Sequence, residues 1–137
     1  MEAKELRIGN YVYSNKFVIK SYGVDGFINI LKNIDNFTPI PLTEEWLLKF
    51  GFENWGLGTL YNNEYECYVR YVLHNDLDGT SNFEVHYIKS TYGGEEHLQY
   101  VISCDEDDRL NWGTDLENVH QLQNLYFALT NEELIIK

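Results

Sequence analysis

Residues 39–52, PIPLTEEWLLKFGF, carry their own start signal, apolar face and stop signal. Pro39 and Pro41 cannot donate backbone hydrogen bonds, so they end strand pairing ahead of the segment. Thr43 is a suitable N-cap, and Glu44 and Glu45 fall in the first turn, where the helix dipole favours anions. Leu42 and Leu47 have the spacing of a hydrophobic staple. Trp46 stands where a capping box needs Glu or Gln, so the reciprocal cap is absent. Gly51 suits the left-handed position after a helix, with Phe52 packing back onto Leu47. The segment predicts a short helix over 44–50 with Trp46, Leu47 and Phe50 facing inward.

A second helical segment, VHQLQNLYFALTNEEL, occupies 119–134. Val119, Leu122, Leu125, Tyr126 and Leu129 fall within about 120° of arc at 3.6 residues per turn. His120, Gln123, Asn124 and Phe127 lie on the other side, where an exposed Phe among amides would make an interaction surface of His120, Asn124 and Phe127. The alternative is that Phe127 packs under a neighbouring loop. Asn131 suits the closing left-handed position, and Glu132–Lys137 is a candidate edge strand.

The residues before and between these helices read as strands. Arg7–Tyr13, Phe17–Tyr22 and Phe27–Leu31 are β-prone runs separated by Ser14-Asn15 and Gly23-Val24-Asp25-Gly26, with a fourth run near Phe37–Ile40. Leu57–Tyr61 and Tyr65–Leu73 flank a hairpin signal at Asn62-Asn63, and Phe83–Lys89 and His97–Cys104 follow. Alternation puts Tyr65, Cys67, Val69, Tyr71, Leu73, Phe83, Val85, Tyr87, Leu98, Tyr100 and Ile102 on one face. Glu66, Tyr68, Arg70, His74, Glu84, His86, His97, Gln99 and Ser103 take the other. A half-apolar sheet needs a cover, and the C-terminal helix is the candidate. The expected fold is α+β: an N-terminal SH3-like β-meander, a short helix, and an antiparallel sheet covered by the C-terminal helix. It forms a single domain with two candidate lobes, 1–52 and 53–137.

The composition suits a folded chain. Three Trp, eleven Tyr and seven Phe among 137 residues argue against disorder, despite 22 acidic against 10 basic residues and a formal charge of −12. Non-specific binding of duplex DNA needs a cationic footprint that the chain as a whole lacks. A basic partner, imitation of nucleic acid, or simple solubility fits the charge. Cys67 and Cys104 are too few and too far apart for a cysteine-based zinc site. The opening MEAKELRIGN has no apolar signal region, and no stretch approaches about 18 uninterrupted apolar residues, so no membrane association is expected. The expectation is a soluble, intracellular protein.

Three pieces of the chain, LRIGNYV at 6–12, PIPLTEEWLLKFGF at 39–52 and VHQLQNLYFALTNEEL at 119–134, resemble a small uncharacterised protein family of phages and prophages of Bacteroidota bacteria. They make up about a quarter of the chain. The resemblance implies a setting in the bacterial host cytoplasm and a mobile-element gene, and carries over no catalytic or binding residue. Small phage accessory proteins often neutralise host defence components, so by analogy of gene context it implies a counter-defence role.

The polar sheet face holds the candidate site. Arg70 would approach His86 and His97 across neighbouring strands, with Tyr68 and Gln99 extending the patch. Arg supplies a cationic fork, His and Gln supply hydrogen bonds, and Tyr supplies a stacking face, a set suited to a small nucleotide. A solvated sheet face would show the same residues. Asp76-Leu77-Asp78-Gly79 matches only the opening of a calcium loop, and its Gly comes too early. No metal-ligand, phosphate-loop, dinucleotide or GxSxG motif is present, so no cofactor is expected.

Three functions follow. The leading one is a non-enzymatic accessory protein that sequesters a small host-derived, nucleotide-like signal. The alternatives are an acidic interaction protein or DNA mimic that inhibits a host protein, and a small His-dependent phosphoesterase. A homo-oligomer with a pocket between subunits stays open.

Overall fold

The computed structural model describes residues 1–15, 17–21, 23–56, 65–74, 82–90, 96–101 and 113–137. Among these residues the fold is α+β, with two antiparallel sheets and three α-helices. The chain divides into two units, and each draws on separate stretches of sequence. The first is Met1–Leu42 with Asn118–Ile135; the second is Thr43–Glu117 with Ile136–Lys137. No helix among the described residues is long and apolar enough to cross a membrane.

In the first unit β1 (Tyr11–Ser14) pairs antiparallel with β2 (Phe17–Lys20), and Asn15 between them is left-handed at φ 56°. The third expected strand, Phe27–Leu31, is helical instead. Helix α1 spans Gly23–Lys32 and is followed by a 3-10 turn at Ile34–Asn36. The reason lies in the period: Phe27, Ile30, Leu31 and Ile34 recur at i, i+3, i+4 and i+7, and they are less exposed than Val24 and Ile28. Gly23 has a positive φ of 61°, whereas Gly26 lies inside the helix. The SH3-like meander therefore gives way to a hairpin followed by a helix. The fourth run survives as one antiparallel bridge, with Thr38 opposite Tyr13.

Helix α3 (Val119–Thr130) also belongs to this unit and packs against β1. The helix expected as a cover for the large sheet is thus a partner of the small hairpin. At its start Gln121 Oε1 accepts from the Asn118 N–H at 2.9 Å. At its end Asn131 takes the left-handed position at φ 59°, its N–H reaching Phe127 O at 2.8 Å. Val119, Leu122 and Tyr126 are buried as expected, but so are His120 and Gln123, while Leu129 is exposed. The inward arc is rotated toward the amide side. Residues 132–137 form no strand, although Leu134 is buried.

Hydrogen bonding explains that rotation. Gln123 is 0% exposed. Its Oε1 accepts from the Tyr11 N–H at 2.9 Å and Asn10 Nδ2 at 3.5 Å, and its Nε2 donates to Gly9 O at 3.0 Å and Leu134 O at 3.5 Å. Asn10 also donates to Asn124 Oδ1 at 2.9 Å and accepts from the Arg7 N–H at 2.6 Å. Arg7 forks onto both carboxylate oxygens of Glu133, at 2.7 and 3.3 Å. Further along, the Val119 N–H bonds Ile40 O at 2.8 Å, and Pro41 bridges Asn118.

In the second unit α2 (Glu44–Lys49) forms where its local signals place it, with Trp46, Leu47 and Phe50 buried. Thr43 precedes it in extended conformation, without a side-chain cap bond. Its end is a full Schellman turn: Gly51 sits at φ 93°, its N–H bonds Leu48 O at 3.0 Å, and the Phe52 N–H bonds Leu47 O at 3.0 Å.

The large sheet has the order β3 (Glu53–Asn54), β4 (Tyr65–His74), β5 (Asn82–Ser90), β6 (Glu96–Val101), β7 (Gly113–Asp115), all antiparallel. A register shift between Cys67 and Val69 leaves Tyr68 outside the pairing. Beyond it the alternation holds. On one face Tyr71, Leu73, Phe83 and Val85 are buried. Phe52 meets Phe83 edge-on at 6.1 Å, and the Tyr71 hydroxyl donates to Glu44, so α2 and the residues after it serve this face. On the opposite face Val72, Glu84 and His86 are buried as well, so this face is not the open, solvated surface that its polar sequence suggests. The expected strand Leu57–Tyr61, the Asn62-Asn63 turn, Asp76–Gly79 and the 102–104 end of the expected strand His97–Cys104 lie outside the described residues.

Replacing Gln123 with Leu strips partners from the half-buried Gly9 carbonyl and the buried Tyr11 N–H. The expected loss is on the order of 3 kcal/mol in urea unfolding. Gly51→Ala puts a side chain at a left-handed φ and is expected to cost about 1–2 kcal/mol by the same measurement.

Candidate functional site

The ladder of the large sheet brings three of the sequence-derived residues into one transverse row. Arg70 is paired with His86, and His86 with Gln99; Asp115 continues the row on β7. His97 stands opposite Ile88, two residues along β6 from Gln99. Tyr68 falls at the register shift and has no place in the row.

Side-chain geometry is defined around Arg70. Its Nε and Nη2 both donate to Glu84 Oε1, at 3.2 and 2.5 Å. Glu84 stands one pleat from His86 on β5, diagonal to Arg70 across the ladder, and a long side chain spans that gap. Its side chain is only 11% exposed, against 36% for Arg70. The carboxylate is therefore largely dehydrated, and the guanidinium supplies the charge and hydrogen bonds that make its burial tolerable. The His86 Nε2 lies 3.6 Å from the same Glu84 oxygen. Burial lowers the His86 pKa from 6.5 to about 4, so the ring is neutral near pH 7.

Sequence reading missed Trp55. Backbone bonds from the Trp55 N–H to Arg70 O at 2.7 Å, and from the Arg70 N–H to Gly56 O at 3.0 Å, continue the pairing of β3 with β4. They set the Trp55 ring beside the guanidinium, 5.6 Å from ring centroid to Cζ. Trp55 is 45% exposed, and its Nε1 donates to Glu53 Oε2 at 3.1 Å. Glu84 was visible in the polar set of β5 and carries the opposite charge to Arg70, the one sequence signal of this pair. For Trp55 no signal existed, because β3 is two residues long and shows no period.

Chemically, a half-exposed guanidinium lies over the Trp55 ring, backed by the buried Glu84 carboxylate with a neutral His86 near it. Glu84 fixes the guanidinium plane and offsets its charge. A neutral His86 sunk in the sheet is poorly placed to exchange protons with a substrate. Tyr71, on the other face, has its phenol pKa pushed up by burial, then by the Glu44 hydrogen bond and charge.

The second group of sequence-derived residues is committed within the first unit. His120 is 1% exposed, with Glu5 Oε2 3.7 Å from its Nε2, and burial lowers its pKa. Among the described residues neither His120 ring nitrogen has a hydrogen-bond partner. Asn124 accepts from Asn10 and donates to Glu5 O at 2.7 Å. Phe127 lies under the Arg7 guanidinium, 4.0 Å from Cζ to ring centroid. Of the surface expected on this side of α3, His120 is buried, whereas Asn124 and Phe127 are half-buried against the N-terminal segment.

Among the described residues no group of three or more His, Cys, Asp or Glu is arranged to hold a metal ion. In comparisons with family models, curated proteins and solved structures, nothing matches this chain.

His86 makes stability depend on pH with a defined sign. Above about pH 6.5 the ring is neutral in both states and its contribution is full. As pH falls from 6.5 to about 4 the unfolded chain takes up a proton that the folded chain refuses, so stability declines. Below about 4 the loss levels off, at roughly 3 kcal/mol. Urea midpoints measured across this window are expected to fall in the wild type and to flatten in His86→Leu. His120, shifted in the same direction, leaves a residual slope.

Proposed function

We propose that this chain is a non-enzymatic phage accessory protein that sequesters a small, nucleotide-like host signal, with the Arg70–Trp55 surface as its binding platform. The observation that carries this reading is a half-exposed guanidinium, held by a buried carboxylate, beside an exposed indole ring. A nucleobase stacks on both kinds of plane, and a guanidinium already fixed in place loses little further entropy on binding. Glu84 offsets the charge of Arg70, and the chain carries −12 overall. Recognition therefore rests on the base more than on phosphate, and affinity changes little with the number of phosphates. The resemblance of the three segments to phage and prophage proteins supports the setting, a counter-defence role in the host cytoplasm.

A second reading has an observation of its own. Exposed Glu44, Glu45, Glu53, Asp115 and Glu117 join the net charge of −12 in favouring a basic face on a host protein, as an inhibitor or DNA mimic.

Titration of purified protein with nucleosides, mononucleotides and cyclic nucleotides, followed by indole fluorescence and calorimetry, separates the two. Sequestration predicts saturable binding, weakened about tenfold or more by Trp55→Ala and Arg70→Ala in folded variants, with the ligand recovered unchanged. Capture of a basic host protein that survives Trp55→Ala, with no nucleotide binding, would instead establish the second reading. Recovery of a cleaved nucleotide would sink both.

A further inference from the structure

The first unit contains a cleft of about 570 Å³ lined by Tyr13, Ser14, Asn15, Asp35, Asn36 and Thr38. Its base is the Tyr13–Thr38 bridge, closed by two backbone hydrogen bonds of 2.9 Å. One wall is the end of β1 with left-handed Asn15; the other is the 3-10 turn Ile34–Asn36. Its volume falls within the range of small-molecule sites, about 300–1,000 Å³.

All six lining residues carry a polar side-chain group. Among the described residues none of these side chains is tied to a hydrogen-bond or ion-pair partner. That contrasts with the rest of the unit, where the side-chain amides of Asn10, Asn33, Gln123 and Asn124 are all spent on internal bonds. The unspent groups are two amides, two aliphatic hydroxyls, a phenol and one carboxylate. Together they donate and accept in comparable number. Among the described residues the lining holds one acid and no base, and the chain carries −12, which disfavours phosphates and carboxylates.

We infer that this cleft is a binding site for a neutral saccharide. Sugar hydroxyls each donate and accept, which matches a mixed lining of amide, hydroxyl and carboxylate groups. A carboxylate accepting from sugar hydroxyls makes the stronger, charge-assisted hydrogen bonds. The Tyr13 ring offers an apolar face to the C–H side of a pyranose. This site lies in a different unit from Arg70 and does not depend on the nucleotide reading.

The test is saturation-transfer NMR and calorimetry on the full chain with glucose, N-acetylglucosamine, maltose and cellobiose as probes, and spermidine as a cationic comparison. At least one saccharide is expected to bind. Asp35→Asn and Asn36→Ala should each weaken it about tenfold, while Asp25→Asn, an exposed acid outside the cleft, leaves it unchanged. Because the lining side chains hold no internal bonds, thermal melts of the cleft variants should match the wild type. Absence of binding by all four sugars overturns the proposal. So does sugar binding that survives the Asp35→Asn, Asn36→Ala double variant, or binding of spermidine alone.

Discussion

A primary amide withdrawn fully from water is tolerable only when its oxygen and both N–H groups find partners. Gln123 meets that condition with groups from Gly9, Asn10, Tyr11 and Leu134. The first unit is arranged around this requirement. It fixes which side of α3 turns inward and ties the edge of β1 to the helix. It also draws the tail after α3 back over it. Arg7 adds a second tie, through Glu133 and the Phe127 ring. The segments LRIGNYV and VHQLQNLYFALTNEEL are thus bound to each other through Asn10, Tyr11, Gln123 and Asn124, with Arg7 on Phe127.

The second unit is organised by a different constraint, a carboxylate inside a sheet. Burial on both faces of β4 and β5 puts Glu84 where a bare charge would be costly, and Arg70 offsets that cost from the neighbouring strand. The same pairing holds the guanidinium flat and partly exposed beside Trp55. Structural need and binding potential therefore converge on one residue. The proposed preference for a planar, weakly charged ligand follows from that double duty.

Legibility in the sequence tracked the distance over which each signal acts. Helix α2, expected over 44–50 and found at Glu44–Lys49, was readable to within one residue because Gly51 and Phe52 act within a turn of what they cap. The strands β4 to β6 were readable by alternation, up to the shift at Tyr68, which no period announces. Helix α1 was not legible because Gly23 and Gly26 precede a run that suits either period, and only Phe27, Ile30, Leu31 and Ile34 together favour 3.6. Strands β3 and β7, two and three residues long, are too short to show any period. Of the candidate site, the shared face of Arg70, His86 and Gln99 was legible from parity. Their alignment in one row was not, since register depends on loops and turns outside the strands.

By itself the sequence determined the local and the summed properties. These are the limits of α2, the left-handed stops at Gly51 and Asn131, the two-faced strands and the acidic charge. Only the tertiary structure decided that α3 packs on β1, that His120 and Gln123 face inward, and that the charge of Arg70 is engaged by Glu84. The physical reason is the origin of the partners. Those of Gln123 in the N-terminal segment lie 112 to 114 positions away, and Glu84 lies 14 from Arg70. A polar side chain reads as surface until the group that satisfies it is brought beside it, and over such separations folding alone does that.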